Sequence, residues 1–87
     1  DCRPEFANAM ETVLNLADWA PLRLHRPFVN LKKQDLVKLG HKMGAPLNET
    51  WSCYAGRDLH CGKCGTCVER KEAFSLANIP DPTKYET

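Results

Sequence analysis

Four cysteines, Cys53, Cys61, Cys64 and Cys67, are the residues whose type and spacing point most directly to chemistry. The intervals between them are seven, two and two residues. Thiolates are soft donors, and structural zinc takes four nitrogen or sulfur ligands in a closed tetrahedron. A two-residue spacer brings neighbouring sulfurs onto one ion without strain. Gly62 and Gly65 flank Cys64 and permit a tight, partly left-handed backbone that turns amide N–H groups towards sulfur. Cys67 is expected in the first turn of a helix, whose positive end favours a thiolate. Arg57, Lys63, Arg70 and Lys71 can offset the negative charge. The expected site is one zinc per chain on Cys53, Cys61, Cys64 and Cys67. With all four positions taken by protein and none left for water, it is structural and not catalytic.

An iron–sulfur cluster is the rival, because Cys-x-x-Cys-x-x-Cys also occurs in ferredoxins. There the triplet is followed by Cys-Pro or by a second triplet, and this chain has neither. Cysteines repeated this closely favour metal ligation over a secreted disulfide framework. Ligation needs reduced thiols, hence the cytoplasm. Cys2 is left over and reads as an unligated, half-buried thiol. His60 adjoins Cys61 and could replace a ligand, but the cysteines already fill four places. His25 and His41 stand alone and read as surface or packing residues. Trp51 and Tyr54 bracket Cys53 and are expected to cover the metal as an apolar layer.

The elements that must position these residues follow from periodicity. Phe6, Met10, Val13, Leu14 and Ala17 recur at helical spacing, with Glu5, Asn8, Glu11 and Asn15 opposite. Pro4 suits a first helical turn, so a helix is expected over 4–18, ending before Pro21. Leu22 and Leu24 alternate with Arg23 and His25, which predicts a short strand to Phe28 that Pro27 confines to an edge. A second helix is expected over 33–43 with a stripe of Leu36, Leu39, Gly40 and Met43, Val37 beside it, and Gly44 as its stop. Asn30 is the best capping side chain nearby, although Lys32 and Asp35 stand at capping-box spacing. Residues 46–50 read as extended, and 53–67 as irregular. A third helix, about 66–78, should bury Cys67, Phe74 and Ala77 before Pro80 and Pro82, followed by a polar tail.

Length and composition set the outer bounds. At 87 residues the chain is at most one small domain, and a metal staple is expected to help it fold. Net charge is +1, and four thiolates on a divalent zinc would take it to about −1. That is no footprint for nucleic acid or an anionic membrane. No apolar run approaches the ~18 residues of a membrane span, and no signal-peptide pattern is present. The chain opens on Asp1 directly into a helix start, so it reads as a fragment or a processed product.

Several stretches together carry a family resemblance. Asp1-Cys2-Arg3-Pro4-Glu5-Phe6, Thr50-Trp51-Ser52-Cys53-Tyr54, the run from Cys61 through Cys67 to Phe74, and Asp81-Pro82-Thr83-Lys84-Tyr85 resemble the C-terminal part of 7-cyano-7-deazaguanine synthases. Pro27-Phe28 to Leu39-Gly40 is similar to their strand-to-helix segment, with Lys32 where the family tends to place Ser or Thr. The resemblance implies a cytoplasmic zinc ligase of the ATP pyrophosphatase group, with a Rossmann-like α/β parent fold. It implies conversion of 7-carboxy-7-deazaguanine, ammonia and ATP into the nitrile, a precursor of queuosine for tRNA modification, by a homodimer. On that reading residues 1–50 are the helix-strand-helix end of the α/β domain, and 51–87 the zinc loop, helix and tail. The fragment itself is expected to be mainly α-helical, with one or two short strands and an irregular four-cysteine loop.

The family's phosphate loop carries Ser-Gly-Gly, and this sequence has no Gly-Gly pair. The 87 residues alone are therefore expected to hold no nucleotide cofactor and to be inactive. No catalytic residue is assigned. Two other functions compete: a free-standing zinc-knuckle interaction module and a small iron–sulfur electron carrier.

Overall fold

Pro4 stands at the first position of helix α1, Pro4–Ala17, where a missing N–H costs nothing. The computed structural model describes residues 2–87, so Asp1, which opens the first family motif, lies outside the described residues. Asp18 ends α1 with extended backbone, and its carboxylate accepts the N–H of Ala20 at 3.1 Å to start the turn away. Two compact units divide at Leu31 and Lys32.

In the first unit Ala7 is the buried side chain, while Phe6, Met10 and Val13 on the expected apolar stripe stay exposed. The strand expected from Leu22 to Phe28 does not form. A strand needs a ladder partner, and side chains of α1 take the backbone groups instead. The Asn15 amide accepts from Leu22 N–H at 2.9 Å and donates to Leu22 C=O at 2.7 Å. The Glu11 carboxylate accepts from Leu24 N–H at 2.9 Å. Residues 27–30 then turn, closed by Leu31 N–H on Phe28 C=O at 2.9 Å. Cys2 is exposed, not half-buried as expected.

The second unit begins with α2, Lys33–Lys42. Lys32 and not Asn30 caps it: the Asp35 carboxylate accepts Lys32 N–H at 3.0 Å. Only this arm of a capping box can exist, because an ammonium has no acceptor. Asp35 N–H goes to Lys32 C=O. The stripe of Leu36, Val37, Leu39 and Gly40 is half-buried, and Met43 falls outside it at 74% exposure. A 3-10 turn, Leu47–Glu49, replaces the expected extended stretch, closed by Thr50 N–H on Leu47 C=O. Helix α3 spans Gly65–Ala77 with Cys64 as N-cap, and ends where Asn78 turns left-handed at φ 56°. It packs against α2 and buries Cys67, Ala73, Phe74 and Ala77. Among the described residues there is no strand, only a single parallel bridge between His60 and Tyr85. The chain is thus mainly helical.

Candidate metal centre

Cys53, Cys61, Cys64 and Cys67 converge although they come from two different kinds of backbone. Cys53 lies in an irregular segment, while Cys61 and Cys64 lie on the turn that leads into α3. Cys67 is the third residue of that helix and is wholly shielded from solvent. All four sulfurs lie within 4.8 Å of one another, and these thiols with Tyr85 against them form the core of the unit.

Backbone amides aim at the sulfurs. Cys53 Sγ accepts from Cys61 N–H at 3.3 Å and from Ala55 N–H at 3.4 Å. Cys61 Sγ accepts from Lys63 N–H at 3.3 Å and from Cys64 N–H at 3.2 Å. Gly62 makes the second pair possible. Its φ of 78° is left-handed, and a Cβ there would stand 2.8 Å from Thr87 O and Oγ1. Gly65 has another role: it opens α3 with ordinary backbone and open space around it.

The protein alone treats the four thiols unequally. The Thr66 hydroxyl first, then the N–H groups of Tyr54 and Cys67, pull Cys64 down to about 5. The N–H of Cys61 and, against the opposing effect of burial, that of Ala55 hold Cys53 below the ordinary thiol value. Burial pushes Cys67 up to about 12 despite the N–H of Gly62. Four such groups this close can all ionise only around a cation. A tetrahedral zinc with sulfurs at ~2.3 Å has an edge of about 3.8 Å. The Cys61–Cys67 and Cys53–Cys64 sulfurs stand 3.9 and 4.0 Å apart. The donor set fits a closed mononuclear metal site.

The surroundings differ from the sequence expectation in instructive ways. Tyr54 is 86% exposed and serves the site through its backbone, so it is no apolar cover. Trp51 is half-exposed. Its ring lies tilted against buried His60, centroids 4.2 Å apart, and its Nε1 donates to Cys53 C=O at 2.8 Å. His60 Nε2 accepts Ser52 N–H at 3.3 Å, and burial followed by the Arg70 charge keeps the imidazole below its ordinary value. A neutral ring with its lone pair engaged is packing, not a fifth ligand. His25 and His41 are exposed.

The cover comes instead from the tail. Tyr85 packs against the thiols, donating to the Asp81 carboxylate at 2.6 Å, and Lys71 Nζ lies 4.5 Å from its ring centre. Glu86 N–H bonds His60 C=O at 2.8 Å, and its carboxylate pairs with Arg57 at 2.8 Å. The Thr87 hydroxyl donates to Cys61 C=O at 3.0 Å. Arg70, expected only to offset charge, is a hub. It donates to Thr83 at 2.7 Å, Ser52 at 3.3 Å, Leu47 C=O at 3.1 Å and Thr50 at 2.7 Å. No periodicity signals these contacts; the 81–85 motif alone hinted that the tail matters.

Fold and site together define a helical, four-thiolate metal-binding module. The chain belongs to the family described as Queuosine biosynthesis protein QueC, which it matches over residues 1–78. It is 56% identical to a 7-cyano-7-deazaguanine synthase 1 of Mesorhizobium japonicum, over 99% of this chain and 38% of that protein. It is 55% identical to a 7-cyano-7-deazaguanine synthase of Ruegeria, over 98% and 37%. A Brucella anthropi synthase matches at 53%, over 99% and 38%. The chain thus spans less than two-fifths of the curated relatives it matches. No solved structure matches it.

Proposed function

We propose that this chain is the zinc-bearing C-terminal part of a ligase that converts 7-carboxy-7-deazaguanine, ammonia and ATP into 7-cyano-7-deazaguanine for queuosine synthesis. The observation that carries the reading is the convergence of four sulfurs within 4.8 Å in a chain of this family. Cys53, Cys61, Cys64 and Cys67 hold one zinc, and its chemistry is structural: it fixes the start of α3 against the loop bearing Cys53. A polynuclear iron–sulfur cluster needs its thiolates on separate irons, farther apart than these.

Residues 1–50 close the end of a Rossmann-like α/β domain, and 51–87 supply zinc loop, helix and tail, with α2 packed on α3 as the joint. The exposed face of α1 supports this, since such a stripe is built to be covered. By itself the 87-residue chain neither binds ATP nor makes the nitrile, because it has no glycine-rich phosphate loop. The whole enzyme works as a cytoplasmic homodimer on small molecules, without nucleic acid or membrane. Among the described residues no helix is long and apolar enough to cross a bilayer.

Metal analysis and turnover test the reading. The isolated chain should hold one zinc, lost in Cys67→Ser, and the full-length protein should release AMP and nitrile from the acid, ammonium and ATP. A single iron in place of zinc, or a full-length protein inert towards the acid, would falsify it.

A further inference from the structure

The second unit contains an open cavity of about 250 Å³ that the metal site does not use. Its floor is apolar: Leu36 and Val37 of α2, Leu47 of the 3-10 turn and Phe74 of α3. Cations stand at its mouth. Arg70 spends four of its five N–H donors on neutral oxygens, those of Thr83, Ser52, Leu47 and Thr50. One Nη1 donor and the whole charge remain, held rigidly by those bonds, although Asp81 nearby feels the field. Lys33 lines the same cavity, paired with Glu69 across α2 and α3. The cavity lining itself holds these two cations and no carboxylate, although Glu69 and Asp81 stand behind them.

The remaining polar lining ties the cavity to the cysteines. Ser52 precedes Cys53 in the chain, and Thr66 sits between Cys64 and Cys67 with its hydroxyl 3.1 Å from Cys64 Sγ. Both residues line the cavity, so fixing the four sulfurs also fixes this wall. An apolar slot with a few placed donors and a rigid guanidinium suits a flat ring with an anionic substituent.

We propose that this cavity binds a planar heteroaromatic carboxylate, its ring on Leu36 and Val37 and its carboxylate towards Arg70 and Lys33. This rests on the ligase reading, in which the bound molecule is the 7-carboxy-7-deazaguanine substrate. It gives the closed metal site a reason to be there: the metal builds one wall of the acid-binding slot.

The test uses the full-length, zinc-loaded protein and equilibrium binding of 7-carboxy-7-deazaguanine without ATP. Val37→Phe fills the slot and should weaken acid binding tenfold or more with zinc content unchanged. Lys33→Glu, at an exposed position that cannot unfold the core, should weaken the acid at least fivefold and leave the uncharged 7-cyano compound unaffected. Acid binding like wild type in Lys33→Glu, or in Val37→Phe with its zinc retained, overturns the proposal even while the enzyme turns over. A wild-type protein that neither binds nor converts the acid defeats the ligase reading and the cavity with it.

Discussion

The two units solve the problem of a small core in opposite ways. In residues 2–31 an amphipathic helix buries Ala7 and leaves Phe6, Met10 and Val13 facing water. Its extended segment is tied to the polar side chains of Asn15 and Glu11. In residues 32–87 three of the buried residues are thiols, and Phe74, His60 and alanines complete the interior. The tail is fastened over them by bonds from Tyr85, Glu86 and Thr87. A helix stripe identifies a surface that wants a partner, whereas convergent ligands identify a core that one ion can complete. The first unit leaves an apolar stripe open, and the second gathers four thiols positioned to hold a metal ion.

Removing the metal should separate the units most. Structural zinc in small domains contributes about 10–16 kcal/mol of binding free energy that is also folding free energy. Stripping zinc with a chelator at pH 7.5 should therefore abolish hydrogen-exchange protection over Gly65–Ala77 and leave that of Pro4–Ala17 as it was. Persistent protection of α3 without metal would break the comparison.

Arg70→Ala comes next. It removes a charged donor from four oxygens on the 3-10 turn, the Cys53 segment and the tail. Loss of about 2–4 kcal/mol is expected from the denaturation midpoint of the zinc-loaded chain. Arg70→Lys should recover less than half, since a point charge cannot serve four divergent acceptors. Full recovery by lysine would show that charge, not geometry, is what the hub supplies.

Tyr85→Phe is smaller, about 1 kcal/mol for one hydrogen bond, and it has a pH signature. Burial, then the bond to Asp81, pushes the Tyr85 hydroxyl up to about 12, against about 10 for a free tyrosine. A folded value above the unfolded one means stability present below pH ~10 and lost as pH rises towards 12. The wild-type tail should lose exchange protection in that window, and the phenylalanine variant should show no such step. Identical alkaline profiles in the two proteins would remove Tyr85 as the fastener.

The smallest effect on folding is expected on α1. Met10→Lys should change stability by within ~0.5 kcal/mol, keep the zinc, and reduce self-association of the isolated chain in sedimentation. A large loss of stability would mean that the stripe is already covered within this unit.

Much of this is readable from residue order, and the departures have separate physical causes. Three helices were placed to within a residue or two, because caps and stripes are local. The strand at Leu22 failed because alternation cannot reveal whether a partner strand exists, and Asn15 and Glu11 claimed the backbone groups. Gly65 departs from expectation because glycine next to a ligand suits both a left-handed turn and a helix start. The cover expected of Tyr54 from its adjacency to Cys53 comes from Tyr85 instead, which only the return of the tail brings to the thiols.

The sequence by itself determined the donor set, since spacers of two residues constrain three sulfurs to one neighbourhood, and it determined the helices through period and caps. Tertiary structure decided what covers the thiols, what Arg70 holds, and where a cavity opens between α2 and α3. Those contacts join residues 13 to 26 positions apart, as from Arg70 to Thr83, Ser52, Leu47 and Thr50 or from Thr87 to Cys61. Contacts that distant leave no period in the chain, because side-chain reach in the folded state sets them.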